Sequence, residues 1–142
     1  MSFPVALPPR IRLTARQYVS ARITGTLAVR IARSTPHLNR SMARALHGAR
    51  RPSTAAETDH AVLAVCTARI GLGGTRACLP RSVAALLYCR AHGHAPALVL
   101  GVNPATTQVH AWLEAEGLPA GEPSDPTRTY TPVTRYSPQE PQ

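Results

Sequence analysis

The sequence predicts an α+β protein: basic N-terminal helices, then a small domain in which one helix packs on a short antiparallel sheet. Three observations carry that expectation. Apolar residues recur every three to five positions between Ile11 and Leu46, a helical period. A second pair of helical stretches, one opening near Thr54 and one near Cys78, is punctuated by Gly71-Leu72-Gly73-Gly74 and stopped by Gly93. Strand-like runs appear only after that, at 97–102 and 109–115.

The 142-residue chain has room for one compact domain of roughly 100 residues plus an arm. Every one of its sixteen basic residues is arginine, and ten lie between Arg10 and Arg51, ahead of the first acid, Glu57. From Glu57 onward six arginines face seven acids, so the net charge of +9 belongs to the N-terminal part. The expected organisation is a basic helical arm over 1–51, a domain over 52–136 and a disordered tail over 137–142. Met1 to Arg10 lacks the apolar core of a secretory signal, and no run approaches the roughly 18 apolar residues of a membrane span. A cytoplasmic protein is expected, with peripheral membrane contact open. Three cysteines are an odd number, which argues against a disulfide framework and leaves a thiol for chemistry.

Taken in order, Met1 to Pro9 is proline-rich and should be irregular. Ile11, Leu13, Tyr18, Val19, Ile23, Leu27, Ile31, Leu38, Met42 and Leu46 then mark amphipathic helix with arginines between them. Ser34-Thr35-Pro36 divides it into two helices, Ser34 or Thr35 capping the second. Gly48 to Thr54 should be a linker. Ser53 or Thr54 caps a third helix, with Glu57 completing a capping box and Ala61, Val62, Val65 and Ala68 facing inward until the glycines end it. Cys78 follows at the start of a fourth helix, with Pro80 in the first turn and Gly93 as the stop. The run 97–102 suits a buried strand. Asn103 to Gln108 turns the chain into a partner strand, 109–115, with His110, Trp112 and Glu114 on one face and Val109, Ala111 and Leu113 on the other. Glu116-Gly117 makes the next turn, Leu118-Pro119-Ala120 a further short strand, and the Thr-, Pro- and Tyr-rich tail from Thr127 should have little regular structure.

Cys78 and His110, thirty-two positions apart, are the residues most suited to chemistry. A free thiol is mostly protonated at neutral pH, whereas the working nucleophile is the thiolate. Unpaired N–H groups at a helix start stabilise that anion, and so does an imidazolium beside it. An isolated cysteine is more often a small buried apolar residue, and an isolated strand histidine a hydrogen-bonded core residue. Their placement, one after a glycine loop at a helix start and the other rigidly mounted on a strand, favours nucleophile and base. A third polar group must orient the ring. Glu122 and Asp125 are the acids between the His110 strand and the tail, with Glu114 and Glu116 as competitors. Cys66 and Cys89 are expected to be structural. A metal site of Cys89, His92 and His94, with or without Cys78, has poor zinc spacing and is not expected. The arginine helices could meet nucleic acid, an anionic membrane or an acidic protein, or be simply solvated; without interleaved aromatics, sequence-specific nucleic-acid binding is not expected.

Cys78-Leu79-Pro80-Arg81-Ser82, the apolar helix after it, the strand at 97–102 and His110-Ala111-Trp112-Leu113-Glu114 together resemble the lasso peptide biosynthesis B protein in its stand-alone leader-peptidase form. The resemblance covers residues 57 to about 136, and 11–51 only as a similar basic helical extension. It implies a transglutaminase-like, papain-related fold and a cysteine peptidase that cuts the leader from a ribosomally made precursor peptide. Cys78 would be the nucleophile and His110 the base. The family commonly has Asp where Gly121-Glu122 falls, so Glu122 would be the third member and Asp125 the alternative. A separate small leader-binding RiPP recognition element protein and an ATP-dependent cyclase resembling asparagine synthetase would be partners. No cofactor is implied. A transglutaminase-like acyltransferase is the nearest rival, because an amine can replace water in resolving the acyl-enzyme. A non-enzymatic basic adaptor is the rival from another class.

Overall fold

A computed structural model describes residues 8–138. The irregular start expected at 1–9 and the tail expected at 137–142 therefore lie mostly outside the described residues. Four helices come first in close order: α1 (Ala15–Ile31), α2 (Thr35–His47), α3 (Ala55–Ala68) and α4 (Cys78–Ala91). A two-residue strand β1 (Arg51–Pro52) lies between α2 and α3, and β2 (His94–Ala95), β3 (Ala97–Val102), β4 (Val109–Ala115), β5 (Leu118–Ala120) and β6 (Thr131–Tyr136) follow α4. The mixed helix-and-sheet class is as the sequence predicts. None of the described helices is long and apolar enough to cross a membrane.

Local chemistry accounts for most helix boundaries. Thr14 and Gln17 form a reciprocal capping box that starts α1, and Thr54 and Glu57 form the one expected at α3. Ser34 holds the N-cap position of α2 without a side-chain hydrogen bond, and Pro36 sits in its first turn, where a missing N–H costs nothing. α3 stops at Ala68, before the glycines, which instead form a 3-10 turn, Ile70–Gly73. Gly93 ends α4 at φ +96°.

The helix α1 departs from its sequence pattern. Val19, Ile23 and Leu27 lie outward, about half exposed, while Ala21, Thr24, Gly25 and Ala28 face the core. The reason is distance: a stripe of small residues lets α1 settle closely on α3 and α4, and a Cβ on Gly25 would come within 2.7 Å of the Arg69 side chain. The helix α2 follows its pattern and buries Leu38, Met42 and Leu46. Residues of α1 and α2 share one buried cluster with α3, α4, β3 and β4. The division at residue 51 is thus one of charge, and packing runs across it.

The central element is α4, set between α1 and α3 and against β4. Its Val83, Ala84, Ala85 and Leu86 are all fully buried. The main sheet has the order β5-β4-β3-β6 and is antiparallel throughout. The 103–108 turn closes with Asn103 N–H on the Gln108 carbonyl at 2.8 Å, and the Asn103 side chain accepts from Ala105 N. Glu116 and Gly117 both have positive φ, as a two-residue hairpin turn matched to strand twist requires. The expected linker is partly ordered: β1 pairs in parallel with β2.

Residues after Thr127 correct the expectation of an irregular tail. They form the 3-10 turn Pro126–Arg128 and then β6, which pairs with β3. Thr131, Val133 and Thr134 have the β-branched chemistry of a strand, and Pro132 is tolerated because β6 is an edge strand with no neighbour beyond it. A register shift between Leu100 and Gly101 leaves Val133 outside the pairing, as in a β-bulge.

Candidate active site

The first turn of α4 meets the open edge of β4 at one place. Cys78 occupies the first helical position, and Pro80 two residues on needs no amide partner there. The amide of Arg81 closes the turn on the Ala77 carbonyl at 2.8 Å. Backbone N–H groups at that end carry the positive pole of the helix towards the thiol.

Strand β5 pairs with β4 only from Leu113 to Ala115. Beyond Ala120 the chain turns away at Gly121, at φ +73°, where a Cβ would come within 2.6 Å of Val62. Asp59 on α3 accepts the Gly121 N–H at 2.6 Å. Ala111 therefore has no strand on that side, and α4 supplies its partners instead. Ser82 Oγ donates to the Ala111 carbonyl at 3.3 Å, and a backbone hydrogen bond from Ala111 reaches the Cys78 sulfur. Early termination of β5 is what admits the thiol to the strand that carries His110.

His110 faces Cys78 and, through Nε2, hydrogen-bonds to Glu122 Oε2 at 3.1 Å. Its ring stacks with Tyr130, centroids 4.9 Å apart, and with Trp112, at 6.0 Å. These contacts leave the His110 and Glu122 side chains only 18% and 13% exposed. The geometry brings Glu122 to the histidine and keeps Asp125 away. Asp125 is exposed and accepts from Thr127 N at 2.9 Å and Thr127 Oγ1 at 2.6 Å, capping the turn that follows. Glu114 accepts from Trp112 Nε1 at 3.2 Å and pairs with Arg135, and Glu116 accepts from the Ala55 amide.

Electrostatics separate the three thiols. Burial pushes Cys78 up, but the His110 hydrogen bond, the Ala111 backbone bond and the charges of His110 and Arg81 outweigh it and bring the thiol below its ordinary value. His110 is raised to about 9, first by Cys78 and then by Glu122, against burial. Each partner thus favours the charged form of the other. Burial raises Cys66, and raises Cys89 to about 11. Alkylation by iodoacetamide at pH 7 should therefore modify Cys78 at least about tenfold faster than either other cysteine, read by peptide mass mapping. Earlier modification of Cys66 or Cys89 would contradict the assignment of the low-pKa thiol.

The cysteine and histidines of the weighed metal set are engaged otherwise. His94 meets Ser53 Oγ at 2.7 Å and Glu57 at 3.0 Å, His92 meets the Tyr88 carbonyl at 2.7 Å, and Cys89 points at the Glu57 carbonyl. Among the described residues no group of three or more metal-ligating side chains converges.

Sequence reasoning missed Ser82, Ala111, Gly121, Asp59 and Tyr130. Ser82 stands four residues after Cys78, one turn on along the same helix face, so its position was legible from spacing. Ala111 acts through its backbone, and Tyr130 lies in the segment expected to be irregular; neither left a signal.

Searches of curated proteins and of solved structures returned no significant match. A family model described as transglutaminase-like superfamily matches residues 21–135, from within α1 almost to the end of β6, and so covers all or part of every element described above. The chain belongs to the transglutaminase-like superfamily, whose chemistry is of the cysteine protease and acyltransferase type.

Proposed function

We propose that this protein is a cysteine peptidase that removes the leader from a ribosomally made lasso precursor peptide, freeing the core for cyclisation. One observation carries the reading: Cys78 at a helix start, beside a His110 that Glu122 holds at 3.1 Å. Cys78 Sγ attacks the carbonyl of the amide joining leader to core. The C–N bond breaks as the imidazolium of His110 gives its proton to the leaving amine, and a thioester to the leader remains. Water, deprotonated by His110, then resolves the thioester. Glu122 occupies Nε2, which leaves Nδ1 as the ring atom for the thiol side, and the carboxylate supports the imidazolium. The N–H groups at the start of α4 suit the developing oxyanion.

The proposed partners are the precursor, a separate leader-binding protein and an ATP-dependent cyclase. The exposed ridge of Val19, Ile23 and Leu27 on α1, flanked by Arg16 and Arg30, offers a surface for one of these or for an anionic membrane.

The test is incubation with the precursor and its leader-binding protein in the presence of a trial amine, read by mass spectrometry. Free leader and core are expected; an amine adduct on the leader C-terminus would establish the acyltransferase reading instead. The rate should fall as pH rises through about 9, where His110 loses the proton it must donate. Glu122→Gln should move that limb downward, because it removes a charge that raises His110, and Asp125→Asn should leave it in place. The reverse ranking would assign the third role to Asp125.

A further inference from the structure

A cavity beside the nucleophile takes no part in the chemistry above. It has a volume of about 600 Å³ between α1 and the 3-10 turn, and its wall includes Ala77 and Pro80, the neighbours of Cys78 and Leu79. Three guanidinium-bearing residues line it, Arg22, Arg69 and Arg76, and no acidic side chain does. Two of these arginines are fixed by the protein itself. Arg22 donates to the Ala68 carbonyl at 3.0 Å, and Arg69 donates to Thr26 Oγ1 at 2.8 Å. Each bond uses one nitrogen of a five-donor fork. Arg76 is exposed and, among the described residues, has no hydrogen bond or ion pair to any side chain. Ile70 adds an apolar side chain that is 58% exposed, and a Cβ on Gly71 would meet nothing within 4 Å, so the rim is open to an incoming chain.

We infer that this cleft is a substrate subsite that reads a carboxylate side chain, Asp or Glu, a few residues from the bond cleaved at Cys78. Charge complementarity selects the occupant. Arginines held in place present planar donors suited to bidentate capture of a carboxylate, whereas a basic segment would be repelled. Proximity places the read residue close to the scissile bond, because the residues flanking the nucleophile form the wall. That the carboxylate belongs to the peptide being cut rests on the peptidase reading.

Quenched-fluorescence decapeptides, with one position at a time fixed as Glu, Gln or Lys and the others randomised, provide the probe. At one position near the cleaved bond, Glu should be cut about tenfold faster than Gln, and Lys more slowly still. Arg76→Glu, at a residue without structural bonds, should erase the preference for Glu over Gln and leave the thermal midpoint unchanged. A wild-type protein that cuts all three sets equally, or an Arg76→Glu protein that keeps the Glu preference, would overturn the subsite. Should the wild type cut none of the peptides without the leader-binding protein, the peptidase reading is judged by the precursor assay. The cleft is then judged by fluorescence anisotropy of the same peptide sets, labelled, on the Cys78→Ala protein: tighter binding of the Glu set, lost in Arg76→Glu, sustains it, and equal binding rejects it.

Discussion

Replacing Cys78 with alanine should abolish precursor cleavage, by at least about four orders of magnitude, while leaving the fold intact. The size follows from mechanism. Without the sulfur no thioester forms, and a His110 and Glu122 left in place have no nucleophile to activate. Retention of the fold follows from position: Cys78 is half-buried at the first residue of α4, where alanine is well tolerated, so the stability cost should be about 1 kcal/mol. Cleavage assay and denaturant midpoint should therefore separate cleanly. A second readout sits on His110. Cys78 is the largest influence raising that imidazole to about 9, so its titration, followed by NMR of the ring protons, should move down in the alanine protein. Undiminished processing by Cys78→Ala would end the peptidase reading.

The largest effect on stability should come from Trp112→Ala. Trp112 is fully buried and heads the large buried side chains; its indole N–H is satisfied by Glu114, and its ring lies against Gly101 on the neighbouring strand. Truncation should cost about 3–5 kcal/mol, a large share of the roughly 5–15 kcal/mol that holds an ordinary domain together. Urea unfolding reads it directly. Gly101→Ala should also destabilise, by about 1–3 kcal/mol, because the new Cβ would stand 2.7 Å from the Trp112 ring and 3.0 Å from the Thr131 carbonyl. The two changes should not add: with the indole gone, part of the space that the added methyl needs is vacant, and the double variant should be more stable than the sum implies. Strict additivity would show that the ring is not what demands a glycine at position 101. Cleavage should suffer in Trp112→Ala as well, since one side of the His110 stack is lost.

Both results depend on contacts that differ in how far the sequence announces them. Cys78 could be placed at a helix start because Pro80 and Gly93 bracket α4 with local chemistry, and local chemistry is written in neighbouring residues. The same holds for the capping box at Thr54 and Glu57, for the alternation in β4 and for the Glu116-Gly117 turn. β6 was not legible in that way. Its Thr-Pro-Val-Thr-Arg-Tyr run has strand chemistry, but pairing with β3 closes across about thirty residues and is decided by the open edge that β3 presents. The orientation of α1 was likewise hidden. Hydrophobic periodicity points to its large residues, whereas closeness to α3 and α4 rewards the small ones.

By itself the sequence determined the α+β class, the order of the four helices and of β3 to β5, the segregation of arginine from the half that carries Cys78 and His110, and the thiol and imidazole on a helix start and a strand. Those are properties of residue type and near spacing. Only the tertiary structure decided which acid meets the imidazole, bringing Glu122 to His110 and leaving Asp125 to cap its own turn. The physical reason lies in Gly121, whose left-handed turn, packed on Val62 and held by Asp59, ends β5 before it can pair with Ala111. That one termination opens the strand edge to Cys78 and Ser82 and swings the next residue, Glu122, to the ring.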